Sequence, residues 1–523
     1  MYQALLTRKY LTSKIIPLFG VFAVMLCSGM VLVTWSIMGG FLTMLLAIGR
    51  DMEGDVTIAW PTVGFPYYEE LIARLEADPM VSAACPMIET FGIVALPDGR
   101  KPGVQIKGVD QRYAKVTAYE QALWWKPIRE PLPKDKDRRD PRLAPDLERV
   151  LDIAKTDGLR FKEFDLVKNV DRPAVVLGIE MSDYSIRKPE GYYVPAGAVG
   201  RRLPNGEFEW EDGAIIGKSV TITVLPLSEN TRDLGLEQRT LPVANEFRTG
   251  LFEADKSTVL IDLNELQHML KMDAWQRAAP STGDPYEISP GGSSMRPTPT
   301  GKIEPARVTT VLVKGRPDPR TGQVDPNALR DRCIAIWNEF AAAHAGEVPT
   351  PTAMKESRTI ATFEMQRATF IGSVKQETVV VLMLLMVISF VAACLILAIF
   401  WAMVAEKTKD IGTLRAVGAG RAGIAWLWLR YGLAIGFAGV VLGLIASWLL
   451  VTNVNEVHDW IQQTFHRTVW DPKVYYFSKI PNEVNPVRAL IVAGGALGFS
   501  LLGALVPALR AAWMDPVKAL RFE

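Results

Sequence analysis

The chain reads as an α-helical membrane protein with four transmembrane helices and a large α+β domain inserted between the first and the second. Three observations carry that reading. The hydrophobic residues make up 49% of the 523 but gather in a few long uncharged runs, so that 22% charged residues coexist with a slightly positive mean hydropathy. The stretch 51–376, between the first two runs, is polar and mixed. Basic residues cluster on alternate connections between the runs, as the positive-inside rule requires. As one soluble unit this length would make about three domains. A net charge of +1 leaves no electrostatic footprint for a nucleic acid.

The first run spans residues 15–49 without a charge. As a helix it would be roughly 50 Å long against a hydrocarbon core of about 30 Å. Signal-peptide cores are shorter, about 7–15 residues, and end at a small-residue cleavage site. The run therefore reads as an uncleaved first span, within 1–50, whose far end projects beyond the bilayer. The second span, 377–404, holds an uncharged run at 378–404 that is also longer than a bilayer core. The third span, 422–452, contains Arg430 near its start, read as an interfacial anchor beside Trp426 and Trp428. A polar loop at 453–486 leads to the fourth span at 487–510 and a short tail, 511–523.

Orientation follows from the basic residues. Arg8, Lys9 and Lys14 precede the first span; Lys407, Lys409, Arg415 and Arg421 lie between the second and third; Arg510, Lys518 and Arg521 follow the fourth. Four spans put all three segments on the cytoplasmic side, with the 51–376 domain outside, in a bacterial periplasm.

Within that domain, β-branched and apolar stretches at 55–60, 88–95, 103–109, 174–177, 220–224, 258–261 and 309–313 read as strands. Residues 67–77, 263–272 and 327–344 read as helices. Pro/Gly-rich or highly charged segments at 128–168, 192–213 and 278–305 read as long loops or insertions. Cys85 and Cys333 lie in this domain, where an oxidising compartment would permit a bridge, whereas Cys27 and Cys394 lie inside apolar runs.

Motifs for chemistry are sparse. The stretch Gly213-Ala214-Ile215-Ile216-Gly217-Lys218-Ser219 is one residue too short between its glycines for a phosphate loop, and reads as a turn into the strand at 220. His268, His344, His458 and His466 show no ligand spacing, so no metal or catalytic residue is assigned. Glycines at 432, 436, 439 and 443 in the third span, and at 494, 495, 498 and 503 in the fourth, predict close helix packing.

The segment between the second and third spans, 405–421, is different in kind. Ile411, Leu414 and Val417 recur every three residues as one apolar stripe, with Lys407, Asp410 and Arg415 off it, and Gly418 and Gly420 end the pattern. A plain turn and a short amphipathic helix docking on a partner both fit.

Here the sequence resembles a known family. Asp410-Ile411-Gly412-x-Leu414-Arg415-x-x-Gly418 resembles the coupling-helix motif of the FtsX-like permeases of ABC transporters. Ser36-Ile37-Met38-Gly39-Gly40-Phe41, Val474-Tyr475-Tyr476-Phe477, Phe252-Glu253-Ala254-Asp255 and the closing Ala519-Leu520-Arg521-Phe522-Glu523 resemble marks of the lipoprotein-releasing LolC/LolE branch. Extra material near 112–171, 184–212 and 275–306 departs from it.

The resemblance implies a MacB-like periplasmic core and a multi-pass inner-membrane permease subunit. It further implies an ATPase partner of the LolD/MacB kind that carries ATP and Mg, so that this chain holds no cofactor itself. A second copy or a homologous permease, lipoprotein cargo, membrane lipid and a periplasmic carrier would complete the system. By the resemblance, Lys407, Lys409, Asp410, Ile411, Leu414, Arg415, Val417 and Gly418 couple to the ATPase, and Met38, Phe41, Met44, Leu45 and Ile48 line the lipid path or pack against neighbouring helices. An FtsX-like mechanotransmitter acting on a periplasmic protein and a MacB-like efflux permease are the alternatives.

Overall fold

The computed structural model describes residues 16–61, 63–127, 147–165, 168–188, 192–203, 205–226, 235–278, 299–320, 322–348, 359–465, 480, 484–515, 517 and 519. The basic N-terminal residues, His466, the 474–477 motif and the closing 520–523 fall outside them. The chain divides into two compact units, one of Met1–Leu45, Thr369–Asp471 and Lys479–Glu523, the other of Leu46–Ala368 and Pro472–Ser478.

The first unit is helical. Four helices, Ile16–Glu53, Ala368–Glu406, Arg421–Thr452 and Pro486–Trp513, are long and apolar enough to cross a membrane. The second of them begins at Ala368, ahead of the apolar run at 378–404, because backbone hydrogen bonding continues through Lys375, Gln376 and Glu377 regardless of their polarity. The polar segment at 453–486 is not all loop: Val454–Phe465 forms a further helix.

Small residues sort these helices. On the third span, a side chain at Gly432 would stand 2.5 Å from Ala504 Cβ, and one at Gly436 2.6 Å from Ser500 Oγ, so this pair faces the fourth span. One turn on, Gly439 and Gly443 face the first span, at Val24 and Ser28. Ser500 Oγ donates to the Gly432 carbonyl at 3.1 Å, a cross-helix bond in a setting without competing water. On the fourth span only Gly503 is packed, against the Ala393 carbonyl at 2.7 Å; Gly494, Gly495 and Gly498 meet nothing within 4 Å, which corrects the expectation that all four glycines pack within the chain.

Trp428 also departs from expectation. It is buried against Phe400 and Tyr431, with ring centroids 6.4 Å and 6.2 Å away, whereas Trp426 is 55% exposed. Only Trp426 stands beside Arg430 as an outward anchor.

The second unit is built on a nine-stranded sheet. In chain order its strands are β1 (Val56–Ala59), β2 (Val81–Ala95), β3 (Gly103–Val109), β4 (Val175–Gly178), β5 (Ser219–Val224), β6 (Glu237–Phe247), β7 (Thr258–Asp262), β8 (Thr310–Gly315) and β9 (Ile360–Thr362). They lie in the order β5-β6-β4-β7-β3-β2-β8-β1-β9. A further pairing of β5 with the end of β2, Thr223 opposite Ile93, joins six of the strands into a ring. Gly92 allows that closure: a Cβ there would lie 2.5 Å from the Thr223 carbonyl oxygen.

Two apolar layers cover the sheet. One contains Leu71, Leu266, Trp337 and Phe340 from the helices Tyr68–Glu76, Leu263–Leu270 and Pro326–Ala343. The last two helices are started by Asp262 and Asp325, whose carboxylates accept from the free N–H groups of their first turns. The other layer contains Tyr113, Tyr119, Phe161 and Phe247. Cys333 belongs to the first layer and Cys85 to the second, and both are free thiols. The sheet stands between them, so the considered bridge does not form.

The segments read as insertions are partly ordered. Leu147–Arg160 is a helix, and Ala198–Arg202 pairs with Phe208–Asp212 as a hairpin. Neither was legible as an element, because their charge density hides the apolar positions. Buried polar bonds stitch the first to the sheet. Asn245 Nδ2 donates to the carbonyls of Ala154 at 3.0 Å and Trp125 at 2.8 Å, and Trp125 Nε1 donates to Glu246 at 2.8 Å.

Candidate functional site between the second and third spans

The segment after Glu406 is a helix, Thr408–Ala416, set off from the second span by a break at Lys407. Thr408 Oγ1 bends back to the carbonyls of Val404 and Ala405, at 3.2 Å and 2.7 Å, and so secures the turn between the two helices. Lys407 Nζ pairs with Asp410 at 3.0 Å across the first turn.

The helix stops where its glycine allows. Gly418 sits at φ +104°, its N–H donates to the Arg415 carbonyl at 3.1 Å, and the Ala419 N–H reaches back to Leu414 at 3.0 Å. This is the left-handed glycine stop that satisfies the last free carbonyls of a helix. Gly420 then caps the third span.

The apolar stripe expected to face one partner is divided. Ile411 is 3% exposed and packs with Phe400, Val404 and Trp428 inside the membrane unit, while Val417 is 84% exposed. Leu414 is half-buried between them. Three-residue spacing advances about 300° per step on a helix, so each member turns roughly 60° from the last and the row rotates from the inside to the outside. Lys409, Asp410, Thr413, Ala416 and Val417 make up the exposed surface.

Arg415 serves the chain itself. Its Nη1 donates to the carbonyl of Ala512 at 3.1 Å and to that of Met514, at the end of the fourth span. A helix leaves its last carbonyls without internal partners and its C-terminus carries partial negative charge, so a guanidinium there satisfies both. The short helix is thus fixed to the second span by chain continuity and Ile411, and to the fourth by Arg415. Sequence periodicity has no signal for the Arg415 bond, since its acceptors lie some hundred positions away.

The other candidate residues occupy the first span. Met38, Phe41, Met44 and Ile48 are half-buried and Leu45 is 6% exposed, on one broad face of the helix. Leu18, Phe22, Leu26 and Met30, which recur every fourth residue earlier in the same helix, are the more open row, at 45–64% exposed. Ser36 Oγ is buried with no hydrogen-bond partner among the described residues.

The near-phosphate loop at 213–219 is a turn with its backbone used internally. The Gly217 N–H donates to Val243 at 2.9 Å and Lys218 N–H to Ile215 at 3.0 Å, and Lys218 Nζ pairs with Glu211 at 3.1 Å. The Gly217 and Lys218 N–H groups and the Lys218 amine are thus bonded within the chain. His268 and His344 pair with Asp273 and Glu70, at 3.1 Å and 2.9 Å.

Residues 382–516, from the second span through the short helix to the end of the fourth, match the model of the FtsX-like permease C-terminal family. The chain carries an FtsX-like permease domain and is related to LolC and LolE. The lipoprotein-releasing system transmembrane protein LolC of Xylella fastidiosa (Temecula1) is 29% identical over 182 residues, 34% of this chain and 44% of that protein. LolC of Neisseria meningitidis serogroup B is 27% identical over 173 residues, 33% of this chain and 42% of that one. LolE of Haemophilus influenzae is 31% identical over 117 residues, 22% and 28% respectively. The chain thus spans less than half the length of these curated relatives. The periplasmic region of MacB from Actinobacillus actinomycetemcomitans covers 63% of this chain and 97% of its own at 10% identity and a TM-score of 0.27, a likeness too distant to carry an argument about the fold. The FtsX-like domain, which takes in the last three of the four apolar helices, and the first helix ahead of it make this a multi-pass protein of the inner membrane. The short helix Thr408–Ala416 and its stop at Gly418 lie within that domain.

Proposed function

We propose that the protein is the membrane subunit of an ABC transporter that uses ATP hydrolysis on a separate subunit to extract lipoproteins from the inner membrane and release them. The observation that carries the reading is the helix Thr408–Ala416. It is tied to two spans, through Ile411 and Arg415, and yet offers Lys409, Asp410, Thr413 and Val417 outward. A lever with one exposed face can receive a push and deliver it to the bundle. LolC and LolE, which the chain resembles, are named for lipoprotein release.

In this reading the short helix lies in the cytoplasm beside an ATPase of the LolD or MacB kind, which binds the ATP and Mg. The large α+β domain lies in the periplasm. A second copy or a homologous permease completes the membrane part, and a periplasmic carrier receives the cargo. Met38, Phe41, Met44, Leu45 and Ile48 of the first span would meet the acyl chains. Moving a lipid anchor out of the bilayer costs about 0.8 kcal/mol per CH₂. A multiply acylated cargo therefore needs an energy source, and a cytoplasmic contact is the route by which a chain of this kind receives one.

The test is co-purification from membranes. Wild type is expected to bring an ATPase and lipoprotein, with the lipoprotein lost on ATP addition. Lys409→Glu and Val417→Asp are expected to lose the ATPase while the four-helix unit stays folded. If wild type never retains an ATPase, the transporter reading fails; if it retains one together with a cell-wall hydrolase and no lipoprotein, the mechanotransmitter reading replaces it.

A further inference from the structure

An apolar groove of about 330 Å³ runs between the third and fourth spans. Trp426, Leu429 and Leu433 line it from one helix, and Leu501, Leu502 and Leu505 from the other. Arg430 is the one charged residue in the lining. Trp426, Leu433, Leu502 and Leu505 are 37–61% exposed, so the groove opens on the outer surface of the helix bundle, where acyl chains lie in a bilayer.

The walls are fixed by the seam beside the groove. At Gly432 and Gly436 the two helices approach too closely for any side chain, and the Ser500 hydroxyl bridges them to the Gly432 carbonyl. A groove flanked by such a seam is preformed, so an occupant loses little to rearrangement of the protein. Its volume lies at the small end of ligand pockets, about 300–1,000 Å³, which suits a single hydrocarbon chain.

The charge sets what that chain is attached to. Arg430 is nine residues into its helix, about 14 Å of rise from Arg421. Helical side chains lean toward the N-terminus, so the guanidinium is carried toward the nearer membrane surface, while Leu433, Leu501 and Leu502 lie deeper. Guanidinium groups bind phosphate oxygens with two parallel hydrogen bonds, and basic sites between membrane helices take anionic headgroups. Trp426, one turn nearer the surface, has the amphipathic ring that favours the headgroup level.

We propose that the groove between the third and fourth spans binds one acyl chain of an anionic glycerophospholipid, with the lipid phosphate on Arg430. This goes beyond an interfacial anchor, because it assigns a seated lipid and a headgroup preference. It does not depend on the transport reading, since the measurement needs no ATPase and no cargo.

The experiment is native mass spectrometry of the full chain in detergent, titrated with phosphatidylglycerol and phosphatidylcholine of matched chains. Wild type is expected to retain phosphatidylglycerol preferentially. Arg430→Gln is expected to lower its affinity roughly five-fold and to remove the preference, the size of one cation's attraction at an anionic surface. Arg430→Lys should keep most of it. Leu433→Trp, which fills the groove, should lower retention of both lipids. Equal binding of the two lipids by wild type, or unchanged selectivity in Arg430→Gln, overturns the proposal. So does retention of a lipoprotein acyl chain in place of phospholipid, or a shift from dimer to monomer in Leu433→Trp, which would mark the groove as a contact between copies.

Discussion

Arg488 Nη1 donates to the Trp35 carbonyl at 3.1 Å, and its guanidinium lies over the Trp35 ring, 5.7 Å from the centroid. The same group fills the place where a side chain on Gly39 would stand. The glycine after Met38 is therefore required by the fourth span. Gly39→Ala would displace the guanidinium from Trp35, and Arg488→Ala would remove it. Each is expected to cost about 1.5–3 kcal/mol, the worth of a hydrogen bond to a charged group. Because both break one contact, the double variant should be no worse than Arg488→Ala alone. Thermal unfolding of wild type and the three variants in detergent measures the coupling.

The split face of the short helix separates two kinds of variant. Arg415→Gln leaves the Ala512 and Met514 carbonyls without their cation and is expected to cost about 1–3 kcal/mol of stability. Val417→Asp, at an 84% exposed position, should leave the melting temperature unchanged within error. Differential scanning calorimetry of the two in one detergent checks the contrast.

Glycines of the third and fourth spans should respond differently to the same change. Gly436→Leu drives a side chain into Ser500, whereas Gly498→Leu enters open space in this chain. The first is expected to destabilise by about 1–3 kcal/mol. The second should be silent in the isolated chain. Melting temperatures of both, against wild type, decide it.

Glu246 predicts a pH dependence. It is fully buried in β6, its carboxylate accepting from Trp125 Nε1 and the hydroxyls of Ser182 and Ser185, with Glu180 also acting on it. Burial outweighs those bonds and pushes the carboxyl up to about 7 from the ordinary 4.5. The folded state thus keeps a proton that the unfolded state releases. Its stabilising effect is full below about pH 4.5 and is lost as pH rises through 7, by roughly 3 kcal/mol. Glu246→Gln should flatten that fall and leave the share of Asp255, which burial pushes up to about 6. Urea unfolding of the full chain at pH 5 and pH 8, followed by tryptophan fluorescence, reads the difference.

Much of the architecture is legible in one dimension. Long apolar runs mark the four membrane helices, because a bilayer core tolerates few charges over that length. Alternating β-branched residues mark strands such as 103–109 and 220–224, where the side-chain period of two meets a buried face. Other features were hidden. The 147–160 helix lies in charged sequence and is held by Asn245, some ninety positions on.

The residues of the short helix divide along the same line. Its apolar spacing and its stop at Gly418 are local: a three-residue recurrence after the apolar run and the one residue type at ease at φ +104°. Those features, together with the coupling-helix motif, were determined by the sequence alone. The inward turn of Ile411, the outward turn of Val417 and the reach of Arg415 to the fourth span were decided by the tertiary structure. Periodicity states that a face exists, whereas what lies against it depends on helices that meet only once the chain has packed.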